Sequence, residues 1–153
     1  MKIMEMLKKE FILEEIRAEN KREALGEMVG VIAQGNTRPG PEAMLRVLLE
    51  REKLGSTGIG DGIAIPHGKL AGLEEMMIAF GRSGKGIDFD AMDGKPVYLV
   101  FLLIAPENSA GQHLKALAKI SRMLKDEAYR QALREAKTHD DLIRIIGEKD
   151  DET

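Results

Sequence analysis

Cysteine is absent from the 153 residues. That excludes a disulfide framework, a thiolate nucleophile and a thiolate-ligated metal, and it favours an intracellular, cytoplasmic setting. An excess of positive charge is missing too. The 23 Lys and Arg are outnumbered by 26 Asp and Glu, for a formal net charge of −3. The two signs are interspersed, so the dense basic face that grips a nucleic-acid backbone is not there. Long apolar runs are also lacking. The longest, Val97 to Ala105, is nine residues, far below the ~20 needed for a membrane-spanning helix. Met1 to Glu10 lack the uninterrupted apolar core of a secretory signal, and no membrane insertion is expected.

Histidine is scarce and scattered. The chain has His67, His113 and His139, with no His-x-His or His-x-x-x-His spacing, so no zinc site and no other metal site is expected. Nucleotide motifs fail on their glycines. Gly68-Lys69 is followed by Leu70 and has no glycine at position 63, so no Walker loop forms. Gly58-Ile59-Gly60 is followed by Gly62 one position too early for the dinucleotide fingerprint. Neither Ser56 nor Ser83 sits in a Gly-x-Ser-x-Gly elbow, which removes a serine-based triad.

What remains suits one globular unit. A chain of this length buries a substantial core, and hydrophobic residues at 43% with charged residues at 32% match a water-soluble protein. No internal repeat or low-complexity tract is present. The expectation is a single domain over residues 1–153 with its core at about 11–148, the segments Met1 to Lys9 and Glu148 to Thr153 fraying.

Phe11 to Leu13 reads as a short strand or a helical turn. Asn20 with Glu23 has capping-box spacing before an apolar face of Ala24, Leu25, Met28, Val29 and Ile32, predicting a helix over Lys21 to Gln34. Gly35 to Gly40 is a loop by composition. Pro41 then starts a second helix that ends at Arg51-Glu52-Lys53-Leu54 and Gly55.

Met76 to Phe80 and Val97 to Ala105 read as strands. The second is apolar at nearly every position and therefore covered on both faces. Ile87 to Phe89 adds a short extended piece, and Met92 to Pro96 a turn. From Ser109 onward the period is helical, with further caps at Asp126 and at Thr138 with Asp141. These parts predict an α/β (α+β) fold: three α/β/α layers, with a mixed sheet of about four to five strands and helices on both faces.

The most unusual stretch runs from Gly55 to Gly68. Six of the sixteen glycines fall between Gly55 and Gly72, around a short apolar run, Ile63-Ala64-Ile65, that delivers Pro66 and His67. Proline fixes its own φ and pushes Ile65 into an extended conformation, so a strand ends rigidly and presents His67 at the sheet edge, with a loop from Gly68 to Gly72 beyond it. A neutral imidazole offers a nitrogen lone pair for nucleophilic, basic or metal-binding work. With a metal site and a serine triad unsupported, a histidine nucleophile is left. His139 reads as an ordinary exposed side chain, and His113, taken alone, as structural or solvated. Arg51, taken alone, reads as a charge complementing the helix dipole.

The run Glu52, Ile59-Gly60 and Ile63-Ala64-Ile65-Pro66-His67-Gly68 resembles the signature of enzyme IIA domains of the bacterial phosphoenolpyruvate-dependent phosphotransferase system, fructose/mannitol type. Arg51 to Gly60 is most similar to the nitrogen-related subgroup, enzyme IIA-Ntr, and the similarity continues through Asp88-Phe89-Asp90-Ala91 and the long strand to His113. The resemblance implies that His67 accepts a phosphoryl group from a phosphohistidine on an HPr-type carrier. It gives Arg51 and His113 the role of supporting the transferred group. Ser56, Thr57 and the glycine amides are further possible donors to it; Asp61 is assigned no part.

The resemblance also implies regulation of target proteins, such as potassium-transport or sensor-kinase proteins, by phosphorylation state. The alternative it leaves is sugar-specific relay to a IIB domain. No cofactor is implied in either case.

Overall fold

The computed structural model describes residues 1–33 and 38–153. The last residue of the first predicted helix, Gln34, and Gly35 to Thr37 of the predicted loop lie outside them. Five helices and a six-stranded mixed sheet are found among the described residues. The strands are β1 (Ile12–Leu13), β2 (Gly58–Gly60), β3 (Ile63–Ala64), β4 (His67–Leu70), β5 (Met77–Ile87) and β6 (Val97–Pro106). The helices are α1 (Lys21–Ile32), α2 (Pro41–Lys53), α3 (Ala110–Leu124), α4 (Glu127–Glu135) and α5 (His139–Glu152).

The apolar strand β6 is the axis of the sheet, and the residues from Leu99 to Ala105 are buried. On one side it pairs antiparallel with β5, which is flanked by β1 in parallel. On its other side β3 and β4 lie parallel to it one after the other, β3 at Leu99 and Val100 and β4 from Leu103 to Pro106. β2 closes the order by pairing antiparallel with β3.

Helices cover both faces, as alternation along the strands shows. Gly81 backs onto Met28 of α1 and Gly68 onto Val47 of α2. Their chain neighbours face the other way: Arg82 donates to the carbonyls of Leu133 and Ala136 at the end of α4, and His67 meets His113 of α3. At Gly81 the absent side chain is a packing requirement, because a Cβ would lie 2.7 Å from Cδ1 of Ile16.

The predicted caps are made. Asn20 accepts from the amide of Glu23 at 2.9 Å, Asp126 from that of Ala128 at 2.9 Å, and Thr138 from that of Asp141 at 3.0 Å. Each satisfies an amide that a helix start leaves without an internal partner. Phe11 to Leu13 turns out to be both things foreseen for it, a 3₁₀ turn ending at Phe11 followed by the two residues of β1.

Three expectations are corrected. β5 does not stop at Phe80 but continues through a polar stretch to Ile87, because the ladder with β6 persists to Arg82 and resumes, after a bulge, at Ile87. The segment after His67 is strand β4, not loop: Pro66 lacks an N–H and interrupts the ladder, and the chain then rejoins the same edge of β6. Both ends pack against the body of the fold and do not lie outside its core. Ile3 and Leu7 are buried, and Asp150, 1% exposed, accepts from the amides of Ile3 and Met4 at 2.9 and 3.0 Å while pairing with Lys119 at 2.7 Å. One buried carboxylate thus fastens the N-terminal turn to α3 and α5.

Candidate functional site

The glycine-rich stretch is a hairpin. Gly60, Asp61 and Gly62 take φ of 102°, 57° and 76°, the left-handed region where glycine is strain-free and aspartate is better tolerated than most residues. They turn β2 back onto β3, leaving Asp61 exposed at the tip. The Ile65 amide extends the pairing by donating to the Thr57 carbonyl at 3.0 Å.

His67 opens β4 half-buried, its backbone beside Leu103 of β6. Its Nδ1 lies 2.8 Å from the carbonyl oxygen of Ile65. A carbonyl only accepts, so Nδ1 carries the proton and donates, and Nε2 is left with its lone pair. The ring has a lowered pKa, chiefly through burial. The Ile65 carbonyl opposes that shift, the Arg51 charge adds to it, and Glu52 opposes it. The imidazole is therefore neutral at neutral pH.

His113 lies in the first turns of α3, with its ring edge-to-face to that of His67 at 5.4 Å between centroids. It is 4% exposed, and neither ring nitrogen has a hydrogen-bond partner among the described residues. Burial, then the neighbouring His67 and Lys69, push its pKa down to about 4. Lys69 shares the face of His67, two residues along β4. An unpartnered buried imidazole is costly, so this one is suited to a ligand that arrives.

Arg51, half-buried at the end of α2, donates from Nη1 to the carbonyl of Gly55 at 2.9 Å. That contact folds the guanidinium over the start of the glycine stretch, and its charge is felt at His67. The remaining N–H groups of the fork are available to an anion.

The structure thus brings the rings of His67 and His113, 46 positions apart in the chain, against each other, with the Arg51 charge acting on His67. It does not bring His139 there, whose Nε2 sits 2.9 Å from the carbonyl of Lys9. Ser56 and Thr57 are otherwise engaged. The Ser56 hydroxyl donates to the carbonyl of Phe89 at 2.8 Å, and the Thr57 hydroxyl donates to Glu52. Among the described residues no group of three or more acidic, histidine or cysteine side chains could hold a metal. No helix among them is long and apolar enough to cross a membrane.

The family model described as "Phosphoenolpyruvate-dependent sugar phosphotransferase system, EIIA 2" matches residues 5–149. The chain belongs to this family. Among its relatives is a nitrogen regulatory protein of Bradyrhizobium diazoefficiens, 45% identical over 147 residues, which cover 96% of this chain and 95% of that protein. A fructose-specific EIIABC component of Bacillus subtilis is 41% identical over 150 residues, 98% of this chain but 24% of the larger protein. In three dimensions the chain is similar to the crystal structure of the nitrogen regulatory protein IIA-Ntr from Neisseria meningitidis. That pair has a TM-score of 0.87 at 34% identity and covers 93% of this chain and 97% of the other. Family membership therefore rests on nearly the whole chain.

Proposed function

We propose that His67 of this EIIA protein accepts a phosphoryl group on Nε2 from a phosphohistidine of an HPr-type carrier, and that its phosphorylation state regulates partner proteins. The observation that carries the reading is the Nδ1–H bond to the Ile65 carbonyl, which commits the free lone pair to Nε2. As the P–N bond to Nε2 forms, the P–N bond to the donor imidazole breaks and that ring leaves with the bonding pair. The proton on Nδ1 stays where it is, still donating to Ile65.

Phosphoryl transfer asks little covalent chemistry of the protein beyond alignment and compensation of charge on three equatorial oxygens. Arg51 supplies a fixed charge with spare donors. His113, neutral while the site is empty, already offers one ring N–H, and a phosphate anion beside it favours the imidazolium with a second donor and a positive charge. Residues 1–153 act here as one unit, since the site draws on α2, the β2–β3 hairpin, β4 and α3.

The nitrogen regulatory relatives favour regulation of target proteins, among which potassium-transport and sensor-kinase proteins are the classes to test. The fructose-specific relative supports a second reading, relay to a IIB domain. Incubation with labelled phosphoenolpyruvate, enzyme I and an HPr-type carrier should give acid-labile label that His67→Ala abolishes. Adding a IIB domain then separates the two readings: rapid loss of label to IIB supports relay, and label retained on this chain supports regulation. Equal labelling of His67→Ala would overturn both.

A further inference from the structure

Glu52 places a carboxylate in the last turn of α2, where burial and the helix dipole both oppose a negative charge. Its side chain is 4% exposed. Three partners compensate. The Thr57 amide donates to Oε1 at 3.0 Å, the Thr57 hydroxyl donates to Oε2, and Nζ of Lys21, at the start of α1, lies 3.2 Å from Oε1.

The path continues toward the chemistry. The Thr57 carbonyl accepts from the Ile65 amide at 3.0 Å, and the Ile65 carbonyl accepts from Nδ1 of His67 at 2.8 Å. Hydrogen bonds and one ion pair therefore link Lys21, Glu52, Thr57, Ile65 and His67 in succession. The link matters at Ile65 because its amide faces β2 and not β6, so the bond to the Thr57 carbonyl is what holds it. Thr57 itself sits between Gly55 and Gly58, in backbone with little stiffness of its own.

We propose that Glu52 is a positioning residue for the reaction at His67. Clamped by Lys21, it fixes Thr57, and through Thr57 the Ile65 carbonyl that holds the His67 ring in one tautomer with Nε2 outward. The same clamp steadies Gly55, whose carbonyl Arg51 grips. The proposal rests on His67 being the phosphoryl acceptor, and the experiment keeps the two claims apart.

The test compares Glu52→Ala and Glu52→Gln with the parent by nitrogen NMR of the His67 ring in the unphosphorylated protein, and by the rate of labelling at increasing concentrations of phosphorylated carrier. The parent ring should show one tautomer, protonated on Nδ1. Glu52→Ala should mix the tautomers and lower the maximal rate on the order of tenfold, with the carrier KM changed less than about twofold. Glu52→Gln, which still accepts from Thr57, should recover both.

If Glu52→Ala does not fold, Thr57→Val removes only the hydroxyl donor and should shift tautomer and rate in the same direction by less. A single Nδ1-protonated tautomer with parental rate in the folded variant overturns the proposal, as does a change confined to KM. Failure of the parent to label would remove the acceptor reading instead, while the tautomer comparison would still decide the clamp.

Discussion

The rings of His67 and His113 stand edge-to-face at 88°, their centroids 5.4 Å apart. One is tied to the backbone through Nδ1, and the other is buried with neither nitrogen partnered among the described residues. This asymmetry supports the roles proposed for them, His67 as nucleophile and His113 as its anion-binding neighbour.

His113 should titrate in two different ranges. In the free protein its pKa lies at about 4, and proton or nitrogen NMR should find it neutral down to pH 5. With a phosphoryl group on His67, the adjacent negative charge favours the imidazolium, so the same titration should move upward. An unchanged value after phosphorylation would take His113 out of the site.

Stability should follow the same group. A folded-state pKa of about 4 set against an unfolded value near ~6.5 means that the unfolded chain binds more protons between the two. The His113 contribution is complete above about pH 6.5 and is lost as pH falls toward the folded value. His67, also depressed, acts in the same direction. Urea midpoints measured from pH 7 to pH 4 should fall, and His113→Leu should flatten part of the slope.

Arg51→Ala should slow phosphoryl transfer to His67 on the order of a hundredfold to a thousandfold, the loss expected for one preorganised donor. The urea midpoint should stay close to that of the parent. Arg51→Lys should recover only part of the rate, since an ammonium cannot hold the Gly55 carbonyl and an anion with the geometry of a planar fork.

Asp150→Ala should cost about 3 kcal/mol or more, because it strands Lys119 in a buried position and frees two amides of the N-terminal turn. Burial would raise the carboxyl pKa. Lys119 and the amides of Met4 and Ile3 outweigh it and hold it below the usual range. The contribution is therefore present at neutral pH and disappears in acid. Pairing Asp150→Ala with Lys119→Met should recover much of the loss in urea unfolding.

Gly81→Ala should cost about 1–3 kcal/mol, the range for an overpacked core. The new methyl would press on Ile16 and Met28, both fully buried. Cavity relief through Ile16→Val should partly rescue it.

Much of this was legible in the sequence. The caps at Asn20, Asp126 and Thr138, the apolar β6 and the Pro66-His67 delivery are local patterns, and the structure repeats them. The layered α/β arrangement follows from such elements in that order.

What was not legible depends on distant partners. Four residues after Pro66 with two polar side chains carry no strand signal, and β4 exists because the edge of β6 beside it is open. The polar continuation of β5 is likewise held by its neighbour. The ordered ends reflect Asp150 reaching across almost the whole chain to Ile3, a pairing that no periodicity announces. At the site, His67 could be singled out from its neighbours, whereas Arg51 and His113 needed the family pattern. Glu52 matched that pattern, but its work was hidden, because its burial and its Thr57 and Lys21 partners appear only in three dimensions.

The most direct test of the central claim is phosphorus and nitrogen NMR on the protein phosphorylated through an HPr-type carrier. The expected result is one phosphoryl group, bonded to Nε2 of His67, with Nδ1 still protonated and donating to Ile65. A phosphoryl group on Nδ1 of His67, or on any other residue, would contradict it.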